Sequence, residues 1–531
     1  MHFPAGKRLL ALTAAVLSVN ACSISPAPVM PSPTPAPPPE SVAGQALPSL
    51  DPSTVPGALP MTIHVDGVDS VRAKWVYLNG GAAYNSQLDA QLLGILDQHA
   101  GGRFNPAVAA PEKPGMANGL KLAQDIILAG GNTLGTRFTR SEAVAGTMTL
   151  LSETTSYTDL ATGDVQGGPA LLAPESVETV RALLSGAIVA DGESTPATHQ
   201  EAATPAASDA SAASATSSAT ATGTEPGEGS NGTAAAKTPA AVPPAADALL
   251  GGAAFSRSGE LVVPVQADPV TGIALPESVN VHITAEAASP LLSDLGRQLR
   301  QLAEATTAFT APPPAASGQE HINCDLVPCA ALTYDDGPND QTTRLLKILA
   351  DRSVYATFFE QGSYAASYPE IAAATAAAGH VIANHTVNHP YLSKLSLNAA
   401  LGEVQGATDM IAGASGATPR YLRPPYGDMT ARIAGSIGMP VVNWSVDSQD
   451  WLSRNKEIFI PKVMELIHPG SIILQHDIHR TTVDGQAQLI DDLHAAGYQL
   501  VTVPQLFQGI EMHNGQSYFC RGDAYPCTPG R

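Results

Sequence analysis

Five short polar clusters lie in order near the C-terminal end of the chain. They are Thr333-Tyr334-Asp335-Asp336-Gly337-Pro338, His385-Thr386-Val387-Asn388-His389, Arg423-Pro424-Pro425-Tyr426-Gly427, Asp447-Ser448-Gln449-Asp450-Trp451 and Leu474-Gln475-His476. Two imidazoles at i and i+4 on one helical turn point the same way, and a carboxylate from a neighbouring element completes a three-ligand set. His385, His389 and Asp336 would leave a coordination position open for water and a substrate oxygen, as a catalytic zinc requires. Fe(II), Co(II) or Mn(II) could use the same donors. Adjacent aspartates at a strand end cannot both face one ion, because successive side chains alternate. One ligates, and its neighbour is free to accept a proton. An isolated H-x-x-x-H is ordinarily a solvated helix face; Asp335-Asp336 and His476 argue for a site instead.

These clusters need elements that bring them to one end of a fold. Short apolar or β-branched runs at 331–334, 354–359, 381–383, 421–422, 441–444, 471–475 and 499–503 read as strands. Helical patterns fall between them, around 341–351, 369–379, 397–413, 429–437, 458–467 and 484–496. Strand–helix alternation over about seven strands predicts an α/β fold with a parallel sheet, a closed or nearly closed distorted (β/α) barrel. In such a barrel the site is built at the C-terminal ends of the strands, where the five clusters stand.

The series resembles the five motifs of the polysaccharide deacetylases (NodB homology, carbohydrate esterase family 4): T-[FY]-D-D-G-P, H-[ST]-x-x-H, R-x-P-Y, D-x-x-D-W and L-x-H. No motif position departs from the pattern. The resemblance covers about 190–200 residues of the segment 319–531, roughly 40% of the chain, and implies a metal-dependent hydrolase acting on an acetylated glycan. It implies Asp336, His385 and His389 as ligands of one divalent ion, zinc first, with Co or Mn as alternatives. Asp335 becomes the general base toward the attacking water, and Arg423 the fixed cation that orients it. His476 becomes the general acid that protonates the leaving amine, with Asp447 as its orienting partner. The ion and the Tyr426 backbone N–H would hold the developing oxyanion. Trp451 and Leu474 would form the apolar wall for the acetyl methyl, unless Trp451 is plain core. His479 lies near the site loop without an assigned role. His64, His282, His321, His494 and His513 lack ligand partners at useful spacing.

Charge narrows the partners. Lys and Arg total 27 against 48 Asp and Glu, a net charge of −21, which excludes a phosphate-neutralising nucleic-acid face and a polybasic membrane surface. Lys7-Arg8, the apolar run Leu9–Leu17 and Val19-Asn20-Ala21-Cys22 read as an export signal. Its end resembles a bacterial lipobox, with Asn20 an unusual member; Cys22 would be lipidated and tether the protein at the outer face of the cell membrane or in the wall. An ordinary secretory signal is the alternative. From that location N-acetylglucosamine of peptidoglycan is the nearest substrate. Chitin, poly-N-acetylglucosamine and O-acetyl xylan are further candidates. A silent glycan-binding or signalling lipoprotein is the reading from a different class, and it would need a missing base, acid or ligand.

The remaining chain divides by composition. Residues 1–22 are the signal, and 23–59 form a Pro-rich spacer. Residues 60–308 suggest a smaller α+β domain, interrupted at 194–246 by an Ala/Ser/Thr/Gly-rich insertion too poor in apolar surface to order itself. In the first domain 62–66, 71–78 and 147–157 read as strands, 85–99 as a helix and 254–264 as a strand pair. Tyr157-Thr158-Asp159-Leu160, Thr162-Gly163 and Gly259-Glu260-Leu261 loosely resemble an RsiV-type extracellular domain. A linker at 309–318 precedes the catalytic segment 319–531, which is expected to be self-sufficient. Cys324, Cys329, Cys520 and Cys527 favour two disulfides in an exported chain, with all three pairings open. A four-cysteine zinc site lacks C-x-x-C spacing.

Overall fold

The computed structural model describes residues 39–66, 70–106, 118–194, 244–305 and 307–522. The export signal, Cys22, most of the 194–246 insertion and Cys527 lie outside them. Among the described residues no helix is long and apolar enough to cross a membrane.

Cys329–Asp335 (CAALTYD) is buried at every position, the pattern of a central strand in a sheet covered on both faces. It pairs in parallel with Thr357–Glu360 on one side and Ser471–His476 on the other. Val381–Asn384 continues the sheet beyond Thr357–Glu360, and Val446–Asp447 continues it beyond Ser471–His476. Gln499–Val501 pairs with the lower end of Cys329–Asp335. Single parallel bridges run from Asn384 to Leu422 and from Leu422 to Val441. The registers matter for chemistry: Asp335 is level with His476, and Leu474 with Asp447. The motif side chains therefore leave adjacent strands at the same height.

The connecting helices start where their caps dictate. Asn339 and Thr342 form a capping box at Asp340–Ala350, Ser396 caps Leu397–Ser415, and Asn455 caps Lys456–Leu466. With Arg480–Ala495, the 340–350 and 456–466 helices bury Leu345, Leu349, Phe459, Val463, Leu489 and Leu493 against Leu332, Tyr334, Phe358, Val446 and Ile473. The 429–437 stretch, expected as a helix, keeps one turn, Ala431–Ala434.

The N-terminal part is a mixed α and β structure. Ala58–Val65, Ser70–Leu78, Gly119–Gly130, Thr133–Val144, Thr147–Asp159 and Val165–Gly167 form a six-stranded sheet next to the helix Ala82–Ala100. A second sheet runs Ser41–Gly44, Ala274–Ile283, Leu261–Ala267, Ala254–Phe255. Ser41–Gly44 lies in the stretch read as spacer, yet it pairs antiparallel with 280–283. An edge strand with a ready partner can recruit Pro-flanked sequence that carries no strand signal of its own.

One buried apolar cluster crosses the 309–318 linker. Trp75, Tyr77, Leu92 and Leu96 belong to it together with Leu326, Val327, Phe359, Val442 and Val503. Asp89 accepts from His321 Nε2 at 2.8 Å, and Arg103 pairs with Asp325 at 2.9 Å, along the same contact. Cys324 and Cys329 close a local disulfide loop. Cys520 is also disulfide-bonded.

Candidate active site

The five clusters converge on one cavity of about 420 Å³, lined by Asp335, Asp336, His385, His389, Tyr426, Trp444, Asp447, Trp451, Arg454, Leu474, His476 and His479. All the residues singled out in sequence for catalysis, ligation or the acetyl wall line it, except Arg423, which lies behind Asp335. Arg423 is fully buried. Its Nη1 donates to Asp335 Oδ1 at 2.7 Å and to Thr333 Oγ1 at 2.8 Å; Nε and Nη2 donate to the carbonyls of Val442 and Asn443, each at 3.0 Å. The Phe359 ring lies 4.0 Å from the guanidinium carbon. Four of the five N–H donors of the fork are used, so Asp335 Oδ1 is fixed and Oδ2 faces the cavity side, 3.8 Å from His385 Nε2.

Asp336 Oδ1 lies 3.6 Å from His385 Nε2 and 3.4 Å from His389 Nε2. One ligand atom from each of the three lies within 4.8 Å of the others. The donor chemistry fits a divalent ion. His385 Nδ1 lies 2.7 Å from the Arg423 carbonyl, which can only accept, so Nδ1 donates there and Nε2 is the nitrogen turned toward Asp336. Burial, then His385, depresses the proton affinity of His389. Burial works against the Asp336 carboxylate, but His385, His476 and His389, with a 2.9 Å hydrogen bond from Gln361 Nε2, hold it below the ordinary range.

Two sequence expectations need correction. The His385–His389 segment is a loop, not a helical turn: Thr386 and His389 adopt φ of 66° and 59°, and Glu403 Oε2 accepts from the backbone of Val387 and Asn388 at 3.0 Å. The i, i+4 spacing brings the rings together through that loop conformation. The carboxylate on His476 is Asp450, not Asp447. Asp450 Oδ1 lies 3.0 Å from His476 Nδ1, and Oδ2 accepts from the His476 backbone N–H at 2.9 Å and from Thr482 Oγ1 at 2.7 Å. Gln449, at φ 54°, sends the chain into the helix Asp450–Ser453 and turns Asp450 inward. Asp447 instead accepts from the Gln449 N–H, two residues on, at 2.8 Å and lines the cavity.

Burial pulls the His476 imidazole down, but Asp450, by hydrogen bond and charge, outweighs it, with Asp335 and Asp336 adding to the effect; its pKa rises to about 9. His479, left without a role in sequence, lines the cavity and lies 2.6 Å from Arg454 Nη1. Burial first, and then Arg454, pushes its pKa down to about 4, so it accepts from the guanidinium as a neutral ring. Trp451 is 45% exposed at the cavity, which removes the plain-core reading. Gly337 is required by space: a Cβ there would stand 2.4 Å from Asp477 Oδ2, on a fully buried carboxyl. Residues missed in sequence are Gln361 and Thr482, and Thr333 stands in the first cluster without an assigned role. Each acts through one hydrogen bond to a motif residue, and no spacing rule finds such partners.

The polysaccharide deacetylase sequence profile matches residues 323–442. Peptidoglycan-N-acetylglucosamine deacetylase of Bacillus cereus is 34% identical over 186 residues, 34% of this chain and 68% of the relative. Chitooligosaccharide deacetylase of a Bradyrhizobium species is 36% identical over 194 residues, 33% of this chain and 89% of the relative. The chain belongs to the polysaccharide deacetylase family. Peptidoglycan-N-acetylmuramic acid deacetylase PdaC of Bacillus subtilis is 41% identical over 177 residues, and the match spans only 38% of that protein and 33% of this chain. The family profile lies within the C-terminal segment, and the N-terminal sheets are outside that match.

Proposed function

We propose that the protein is a metal-dependent hydrolase that removes N-acetyl groups from a cell-wall glycan, with N-acetylglucosamine of peptidoglycan as its substrate and Zn²⁺ held by Asp336, His385 and His389. The observation that carries this reading is the convergence, in one cavity, of the Arg423–Asp335 pair, the three-ligand set and the His476–Asp450 pair. When bound, the ion supplies Lewis acidity toward the acetamide carbonyl and the attacking water. Asp335 takes the proton of that water on Oδ2, the oxygen Arg423 leaves free. The Tyr426 amide donates to the developing oxyanion. His476, charged through its bond to Asp450, gives its proton to the departing amine, so the C–N bond breaks to acetate and a free amine. Trp451 and Leu474 exclude water around the acetyl methyl.

The same reading takes the C-terminal segment as a distorted (β/α) barrel, with Leu422 and residues 441–447 completing the circuit. It takes the protein as exported and tethered through a lipid on Cys22, with the N-terminal sheets positioning the enzyme at the wall. Support for the substrate comes from the B. cereus relative, named for N-acetylglucosamine; PdaC is named for N-acetylmuramic acid. Acetate release from N-acetylglucosamine oligomers and from peptidoglycan, with product analysis of both sugars, tests it. Release should vanish with a chelator and return with Zn²⁺ or Co²⁺. No release under any divalent ion would overturn the enzyme reading, and deacetylation confined to muramic acid would overturn the choice of sugar.

The corrected partner gives a pH prediction. A general acid with its pKa raised works below that value and fails as pH rises through it, so activity should fall on the alkaline side near pH 9. Asp450→Asn removes the charge that raises His476, and the alkaline limb should move to lower pH; a pH profile of kcat checks this. Asp447→Asn should leave that limb in place.

A further inference from the structure

His385 and His389 are held in different ways. His385 has a hydrogen-bond partner for its second ring nitrogen, the Arg423 carbonyl at 2.7 Å. Among the described residues no protein group hydrogen-bonds to Nδ1 of His389, whose side chain is 23% exposed and whose backbone sits at φ 59°. A ligating imidazole ordinarily needs such a partner to fix its orientation. What touches the outer side of His389 is a ladder of rings. The Tyr426 ring meets it edge-on with centroids 4.6 Å apart. Tyr391 stacks on Tyr426 at 4.0 Å and 12°. Lys394 Nζ then lies 3.7 Å over the Tyr391 ring.

Tyr391 is 41% exposed at the edge of the site and invites reading as a platform for a sugar. Its contacts argue otherwise. Tyr426 and the Lys394 ammonium each pack against the ring, leaving its edge to solvent. Tyr426 also needs support, since it is 55% exposed and held at φ 60° by the Pro424-Pro425 turn. Aromatic stacking and a cation over a ring face both stabilise such an arrangement without a hydrogen bond.

We propose that Tyr391, clamped between Lys394 and Tyr426, is a positioning residue that holds the His389 imidazole, in place of the missing hydrogen-bond partner, in the orientation that ligates a divalent ion. This rests on the metal reading given above. Tyr391 is not among the residues that line the cavity; it acts through Tyr426.

The test is titration of the metal-free full-length protein with Co²⁺, followed by its visible absorption. Tyr391→Ala should weaken Co²⁺ binding about tenfold, the scale expected for loss of an outer partner of a ligand. Tyr391→Phe keeps the ring and should bind like the wild type. Thermal melting of the metal-free proteins should coincide, which separates a loosened ligand from a damaged fold. Tyr391→Ala binding within about a factor of two of wild type would overturn the inference, since that falls short of the outer-partner range. So would a Tyr391→Phe protein as weak as Tyr391→Ala, or a metal-free melt that falls with Tyr391→Ala alone. A wild type that takes up no Co²⁺ would instead remove the metal reading, and this inference with it.

Discussion

Asp335→Asn should lower kcat for acetate release by about 10²–10⁴-fold, the usual contribution of a positioned general base. Zn²⁺ or Co²⁺ affinity should change little, because the three donor atoms of Asp336, His385 and His389 are untouched. The asparagine amide fills the same space and still accepts from Arg423 through its oxygen, but it leaves the buried guanidinium without its counter-charge, so the melting temperature should fall while the folded variant keeps its metal site. Single-turnover acetate release together with metal titration reads both halves of the prediction. Full activity in this variant would remove Asp335 from the chemistry, and lost metal binding would make it a ligand instead.

Arg423→Met should be the most destabilising single change at the site. The guanidinium is fully buried and makes four hydrogen bonds, and its removal leaves the Asp335 carboxylate, the Thr333 hydroxyl and two carbonyls facing an apolar side chain. Breaking a buried pair by removing one partner costs about 3–5 kcal/mol, because the remaining charge is uncompensated. Denaturant unfolding of the full chain should show that loss. Arg423→Lys should not rescue it: an ammonium on a flexible stem cannot reach an acid, a hydroxyl and two carbonyls in one plane. Combining Arg423→Met with Asp335→Asn should recover part of the stability, since the buried charge is then gone.

The centre of the site was legible because its residues are tied to strand ends. Asp335, Asp336 and His476 stand at or next to the ends of strands that open on the apolar runs 329–332 and 472–474, and strand–helix alternation alone brings such positions to one edge. What escaped was set by backbone conformation. The His385–His389 spacing suits a helix, but Thr386 and His389 take positive φ, and the loop is fixed by Glu403, a residue on another element. Asp447 and Asp450 are both acidic and three apart. Which of them faces His476 is decided by the positive φ of Gln449, and no residue type at that position announces it. In the N-terminal part the paired strands Gly119–Gly130 and Thr133–Val144 were overlooked, although the Gly131-Asn132 turn between them carries a hairpin signal. A register shift between Ile126 and Leu128 breaks the period-two alternation there. Ser41–Gly44 had no signal at all; it is a strand only because 280–283 offers an open edge.

The apolar cluster that runs from Trp75 and Leu92 to Leu326, Val327 and Phe359 has a practical side for anyone handling the protein. A fragment trimmed to begin at the linker would carry Leu326, Val327 and their neighbours to a newly wetted surface, where apolar patches drive self-association. Such a fragment calls for polar replacements on that face, or for keeping the 82–100 helix, before poor yield or aggregation is blamed on the catalytic half. The cluster also ends on Phe359, whose ring lies against Arg423, so solvent admitted at the trimmed face is one side chain away from the guanidinium that holds the base.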